Sequence, residues 1–239
     1  MKPIAIKKAA IAAFCARLRQ ARSGVAYIEF ALVFPMVMAS GLAGIEATNL
    51  SMTHMRISQL ALSMADNSSR IGQDTALSQT QFREIDIVDS FAAAILQAGN
   101  RDIVDRGRIV LSSLERNASG GQWIHWQRCI GKLKENGSLI QSAYGVQGKG
   151  ATGTSFAGMG PAGKEITAPA SNAVMFVEIA YDYEPLISSV FFGKPRIKYT
   201  AAFIVRDKRN LTGDPAKTGK YGNVFNPTPA VPDSGIGFC

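Results

Sequence analysis

Apolar positions fall into three regimes along this chain. From Val25 to Ile45 they are nearly continuous: VAYIEFALVFPMVMASGLAGI holds 21 residues and a single charge, Glu29. At roughly 1.5 Å per residue, a helix of this length covers about 31 Å, the thickness of a bilayer core. The run then thins to a stripe. Leu50, His54, Ile57, Ala61 and Met64 follow at spacings of 4, 3, 4 and 3, one face of a helix, and no Pro or Gly interrupts residues 45–71 before Gly72. These two regimes predict one helix over 25–71, apolar all round in its first half and amphipathic in its second. Pro35 frees the carbonyl of Ala31 and is a candidate kink. A second helix is predicted over 80–98 with Phe82, Ile85, Val88, Phe91 and Ile95 on its apolar face, a Ser78/Gln81 capping box and Gly99 at its end.

The period then changes to two. Arg108–Leu114 and Trp123–Ile130 read as short strands. Val174–Tyr183 alternates Met175, Val177, Ile179, Tyr181 and Tyr183 against Glu178 and Asp182, with Glu184 continuing the polar row. Ile197–Asp207 sets Ile197, Tyr199, Ala201, Phe203 and Val205 opposite Lys198, Thr200 and Arg206. Helices followed by strands predict an α+β fold: one long N-terminal transmembrane and amphipathic helix, a second helix, then an antiparallel β-sheet paired as a meander. Residues 145–163, with seven glycines, and 210–239, with Pro215, Pro227, Pro229 and Pro232, read as a loop and an irregular tail.

Charge adds a direction. Lys and Arg total 26 against 18 Asp and Glu, but residues 1–24 hold six bases (Lys2, Lys7, Lys8, Arg17, Arg19, Arg22) and no acid, which leaves 20 bases against 18 acids elsewhere. A nucleic-acid binder carries its excess on the folded domain, so no nucleic-acid partner is expected. A basic flank before one apolar run predicts a single span with the N-terminus in the cytoplasm. The chain divides into a basic leader (1–24), a long helix (25–71, transmembrane over 25–45) and an extracytoplasmic domain (72–239). The run is long for a secretory signal, and a cut near Ala39 leaves a poor small-x-small site. Phe14 before Cys15 argues against a lipid anchor.

Candidate catalytic chemistry is thin. Gly148, Gly150 and Gly153 match GxGxxG, but the following TSFAGMGPAG is a poor helix, which a dinucleotide site requires. Gly145 and Gly150 have phosphate-loop spacing, yet Ala151 stands where the lysine belongs. His125 shares strand parity with Cys129, and a packed strand histidine is the simpler reading. His54 reads as a half-buried helix histidine, and Glu178, Asp182 and Glu184 as a solvated strand face. No Cys/His cluster has zinc spacing. No enzyme activity, cofactor or metal is expected.

The informative motif is Arg22-Ser-Gly24-Val25-Ala-Tyr-Ile28-Glu29-Phe30. A carboxylate inside an apolar helix is costly in lipid and marks function; its simpler reading is an interfacial Glu reaching headgroups. This stretch resembles the prepilin signature, Gly followed by four residues and Glu, of type IV pilin-like proteins. With Ala31-Leu32, Pro35 and Gly44-Ile45-Glu46, residues 17–66 resemble the TadE/TadG-like family of tight-adherence pilus assembly proteins. The resemblance implies a minor pseudopilin or pilus-biogenesis component, cut by a prepilin peptidase between Gly24 and Val25. It also implies partnership with other pilins and inner-membrane assembly proteins, and residence in a bacterial inner membrane or an extracellular pilus. Phe30 stands where the main tight-adherence pilins have Tyr, and the chain is far longer than they are, which argues against the major fibre subunit.

Cleavage exposes an amine on Val25, which Glu29 of a neighbouring copy is expected to pair. Small residues at Ala39, Ala43 and Ala47, and at Ser40, Gly44 and Thr48, form two rows suited to close helix approach, or simply reflect an Ala/Gly-rich span. Cys129 and Cys239, in the oxidising compartment this topology implies, are expected to form a disulfide that pins the tail to the sheet, as C-terminal disulfides do in many type IV pilins; two unrelated free thiols are the alternative. An uncleaved, membrane-anchored periplasmic binding or adhesive module is the alternative to the pilus assignment.

Overall fold

The computed structural model describes residues 3–20, 24–71, 81–99, 101–206, 210–214, 217, 219–226, 230–232 and 235–239, with side chains from Ala12 onward except that of Lys220. The helix expected over 25–71 is a single helix, α2 (Val25–Ser69), with Pro35 inside it. Before it stands a helix the sequence pattern did not announce, α1 (Pro3–Gln20), with Arg17 and Arg19 in its last turn, where they complement the helix dipole. The second expected helix, α3 (Glu84–Ala98), begins later than predicted. Gln81 and Arg83 instead bridge to Asn210 and Phe225 of the tail, and Ser78 of the predicted capping box lies outside the described residues. The first helical turn carries Glu84 and Asp86, again favourable to the dipole. Gly99 ends the helix at φ 62°, a conformation that favours glycine. The buried face of α3 is Ile87, Phe91, Ala94 and Ala98; Ile85, predicted to face inward, is exposed.

After the short helix α4 (Ile103–Arg106) come β1 (Gly107–Arg116), β2 (Gln122–Ile130), the small hairpin β3 (Lys134–Glu135) and β4 (Ser138–Leu139), β5 (Val174–Asp182), the one-turn α5 (Ser189–Phe192) and β6 (Arg196–Ile204). The four long strands form an antiparallel sheet in the order β2-β1-β5-β6. The expected meander is therefore corrected: β5 pairs with β1 across from β2. The reason lies on the outer edge of β2, which other chain occupies. Gly148 N donates to Ile124 O at 2.7 Å, Ile124 N to Lys149 O at 2.9 Å, and Cys129 N to Gly237 O at 2.6 Å. The glycine-rich loop and the tail thus cover an edge that would otherwise be open to another strand.

The sheet is buried on both faces. Helices α2 and α3 cover one, where Ile57, Leu60, Met64, Ile87 and Phe91 meet Leu111, Trp126, Val177 and Ile179. On the other, Met159 and Ala168 cover Leu114, Ile124, Val174 and Phe176. In β2 the register slips between Ser113↔Trp126 and Leu114↔Ile124, leaving His125 as an extra residue. The bulge turns Trp126 to the helix side and Ile124 to the opposite side. Along α2, Glu46 lies beside Tyr183 and Asp66 beside Arg206. The β5–β6 turn therefore sits at the end of the domain from which the apolar half of α2 leaves.

Candidate functional site

Among the described residues nothing buries α2 from Val25 to Leu42. Its most apolar 18-residue window has a mean hydropathy of 1.8, none of it buried, and among the described residues it is the one helix long and apolar enough to cross a membrane. Tyr27, Ile28, Phe30, Leu32 and Val33 are all exposed, and the Phe30 ring lies beside that of Phe34, with ring centroids 5.1 Å apart. Gly24 occupies the N-cap of α2, at φ −79°, and a Cβ there would meet nothing within 4 Å. No internal packing or backbone strain therefore requires glycine at this position. Glu29 lies exposed one turn into α2 and makes no hydrogen bond or ion pair among the described residues.

The two small-residue rows differ. Ala43 and Ala47 are half-buried, so the row running through Ala39 turns toward the folded domain, whereas Ser40, Gly44 and Thr48 are exposed. The hydroxyls of the second row are satisfied within the helix: Ser40 Oγ donates to Met36 O at 2.8 Å and Thr48 Oγ1 to Gly44 O at 2.9 Å. That row is smooth, and its polar groups are already paired, as contact within lipid requires.

Glu46, the residue that ends the apolar run, carries a role that sequence reasoning missed. It is fully buried. Its carboxylate accepts the Tyr183 hydroxyl, the Leu186 N–H at 3.1 Å and the Ile187 N–H at 2.8 Å, while Asn49 Nδ2 donates to the Tyr183 oxygen at 2.7 Å. A signal existed: Glu46 precedes Leu50 by four residues and so extends the buried stripe of α2. The Tyr183 hydroxyl, with the backbone N–H groups of Ile187 and Leu186, holds the Glu46 carboxyl below its ordinary value of 4.5. Burial, followed by the adjoining carboxylate, pushes Tyr183 up to about 12.

A carboxyl whose folded-state pKa is depressed contributes stability that is present above its unfolded pKa and lost as pH falls through the folded one. Glu46→Gln is therefore expected to be less stable than the parent at pH 7, with the gap closing below about pH 4. Denaturant unfolding of the solubilised protein at both pH values checks this; equal stability at pH 7 rules the clamp out.

The expected disulfide is present: Cys129 and Cys239 are bonded across 110 residues, and Cys15 is free and exposed. Beside it Arg128 and Glu84 form an ion pair with side chains 1% and 2% exposed, and the Arg128 guanidinium lies 4.6 Å over the Phe238 ring.

The enzyme-like motifs resolve into structure. The GxGxxG loop lies along the β2 edge with no helix after it. Cys129 is committed to its disulfide, so it does not pair with His125; the His125 Nδ1 lies 2.9 Å from Glu115 Oε1, and Ser113 Oγ donates to that same oxygen at 2.7 Å. Glu115 stands between Ser113 and His125, the reverse of the order in which a histidine activates a serine. Two of the strand carboxylates are less solvated than predicted: Glu178 is half-buried and accepts Ala143 N at 2.9 Å, and Asp182 is half-buried and pairs with Arg196; Glu184 is exposed, as expected, and pairs with Arg106 and Lys194. His54 is half-buried, as expected, with Nδ1 3.3 Å from the Tyr199 hydroxyl. Among the described residues no group of three His, Cys, Asp or Glu is placed to hold a metal. No protein-family model matches the chain, and neither does any curated protein or solved structure.

Proposed function

We propose that this protein is a minor pseudopilin or pilus-biogenesis component of the tight-adherence type, anchored by Val25–Ile45, processed after Gly24 and assembled through its N-terminal helix. The observation that carries this reading is the division of α2. One half is a bare apolar rod with a lone carboxylate one turn from its start, and the other half is clamped to an α+β domain. That architecture, a long helix laid by its C-terminal half on an antiparallel sheet, is what a pilin-type subunit needs. Gly24 supports the cleavage site, because it lies exposed at the N-cap of α2, where none of the described residues calls for glycine.

In this reading the basic leader stays in the cytoplasm and the sheet domain lies outside it. Cleavage leaves a charged amine on Val25. Two isolated charges in hydrocarbon are each unfavourable, on the order of 2.5–3.5 kcal/mol near the bilayer centre and less near its surface. Pairing Glu29 of one copy with the Val25 amine of the next neutralises both and fixes the stagger between subunits. The exposed row Ser40, Gly44 and Thr48 gives neighbouring helices a surface for close approach.

Two substitutions separate the steps. Gly24→Leu should abolish processing, since a large side chain keeps the peptidase from the backbone. Glu29→Ala should leave processing intact and remove most pilus assembly. Both are read in the native host by the mass of the mature N-terminus and by pilus counts. Normal pili in Glu29→Ala cells, in a strain whose deletion has none, overturn the pairing. A parent protein that keeps all its leader residues supports an uncleaved, membrane-anchored binding or adhesive module instead.

A further inference from the structure

The connection between β5 and β6 is apolar on the outside. Hairpin connections on a water-facing surface are usually built from Gly, Pro, Asn, Asp and Ser, whereas Tyr183–Pro195 reads YEPLISSVFFGKP. Leu186 is 68% exposed, Val190 86%, Phe192 43% and Ile187 39%. Grouped exposed side chains of this kind mark a contact surface. The loop is also held in shape. Ser188 Oγ accepts Val190 N–H at 3.2 Å at the start of α5, Gly193 N donates to Ser189 O at 2.9 Å, and Tyr183 N to Pro195 O at 3.1 Å.

Its height is set by Glu46. The carboxylate that accepts the Leu186 and Ile187 N–H groups belongs to the residue immediately after the 21-residue apolar run, and α5 packs against α2 at that level. If the run lies in a bilayer, the loop tied to its last turn lies at the bilayer surface. We infer that Leu186, Ile187, Val190 and Phe192 form a second membrane contact, which inserts into the headgroup–acyl boundary beside the exit of α2. The inference rests on the proposed span of Val25–Ile45.

The occupant is lipid engaged by its apolar part, not by its charge. The charges at the base of the loop are already matched: Glu184 pairs with Arg106 and Lys194, and Asp182 with Arg196. A surface that recognised anionic headgroups would instead present unpaired bases. Insertion should thus occur equally in zwitterionic vesicles and at high salt. With the helix and the loop both attached, the domain has two fixed points on the membrane, which limits its rotation about α2.

The test uses the full chain in a Cys15→Ser background, reconstituted in phosphatidylcholine vesicles. Single cysteines at Val33→Cys, Val190→Cys and Leu96→Cys carry a fluorophore, and nitroxide lipids quench it. Leu96 is 82% exposed on α3, beside the Gln97–Ser63 contact and so far along α2 from the span. The labels at 33 and 190 should be quenched severalfold more than the label at 96, and 0.5 M salt should not change this. Quenching at 33 with position 190 no different from 96 overturns the inference and leaves the span standing. Quenching at none of the three removes the span and the inference with it. Cross-linked dimers through position 190, without lipid quenching there, assign the patch to a second copy and also overturn it.

Discussion

Replacing Cys129 and Cys239 together by serine should lower the stability of the sheet domain by roughly 4–5 kcal/mol, the chain-entropy value for a closed loop of about 100 residues; the observed separation is 110. The bond fastens the last residues to β2. Gly237 O accepts the Cys129 N–H at 2.6 Å, and a Cβ on Gly237 would come within 2.5 Å of Cys129 O, so the tail approaches the strand as closely as glycine allows. Without the bond the tail adds a tether of only a few contacts, and part of the outer edge of β2 is freed to pair with other strands. Reductant should shift the denaturant midpoint of the parent to that of the double-serine variant and leave the variant unchanged. A parent midpoint that ignores reductant, with the thiols confirmed free, would refute this account.

The sequence was most legible where one physical signal acted alone. A 21-residue apolar run followed by a 3.6-residue stripe specifies α2, and clean alternation specifies β5 and β6 with the correct inward faces. It was least legible where packing decides. Strand order depended on what covers the edge of β2, namely residues 145–150 and 237, which look like plain loop and tail in sequence. The bulge at His125 inverts the parity of β2 from that point, so the shared parity of His125 and Cys129 in sequence does not hold in the strand, and His125 is the packed strand histidine that was the simpler reading. The start of α3 was set by bridges to a tail more than 120 residues away, not by a capping box. Of the candidate site, Gly24 and Glu29 were visible because they break a pattern. Glu46 was hidden, because a charge that ends an apolar run is indistinguishable from a solvated boundary until Tyr183 and the loop are seen around it.

Glu84→Ala should cost the domain about 3–5 kcal/mol, the usual penalty for stranding one member of a buried ion pair. Arg128 is the stranded group. It bonds Glu84 through Nε at 3.0 and 3.2 Å and through Nη2, and its Nη1 donates to Gln127 O at 2.8 Å, all away from water. Replacing both residues by apolar ones of similar size, Glu84→Leu with Arg128→Met, should recover most of the loss, because desolvating two charges largely offsets their attraction. The pair joins three parts that are distant in sequence: the first turn of α3, strand β2, and the tail, whose Phe238 ring covers the guanidinium. Phe238 precedes the disulfide-bonded Cys239, so the lid over the pair is held by that bond. Ion pairs weaken as water enters. The coupling energy between Glu84 and Arg128 from a double-mutant cycle should therefore fall when the disulfide is reduced, whereas the cost of a core truncation such as Ile179→Ala on the opposite side of the sheet's centre should not. Equal coupling in oxidised and reduced protein would show that Phe238 covers the pair without help from the bond, and that the two features stabilise the domain independently.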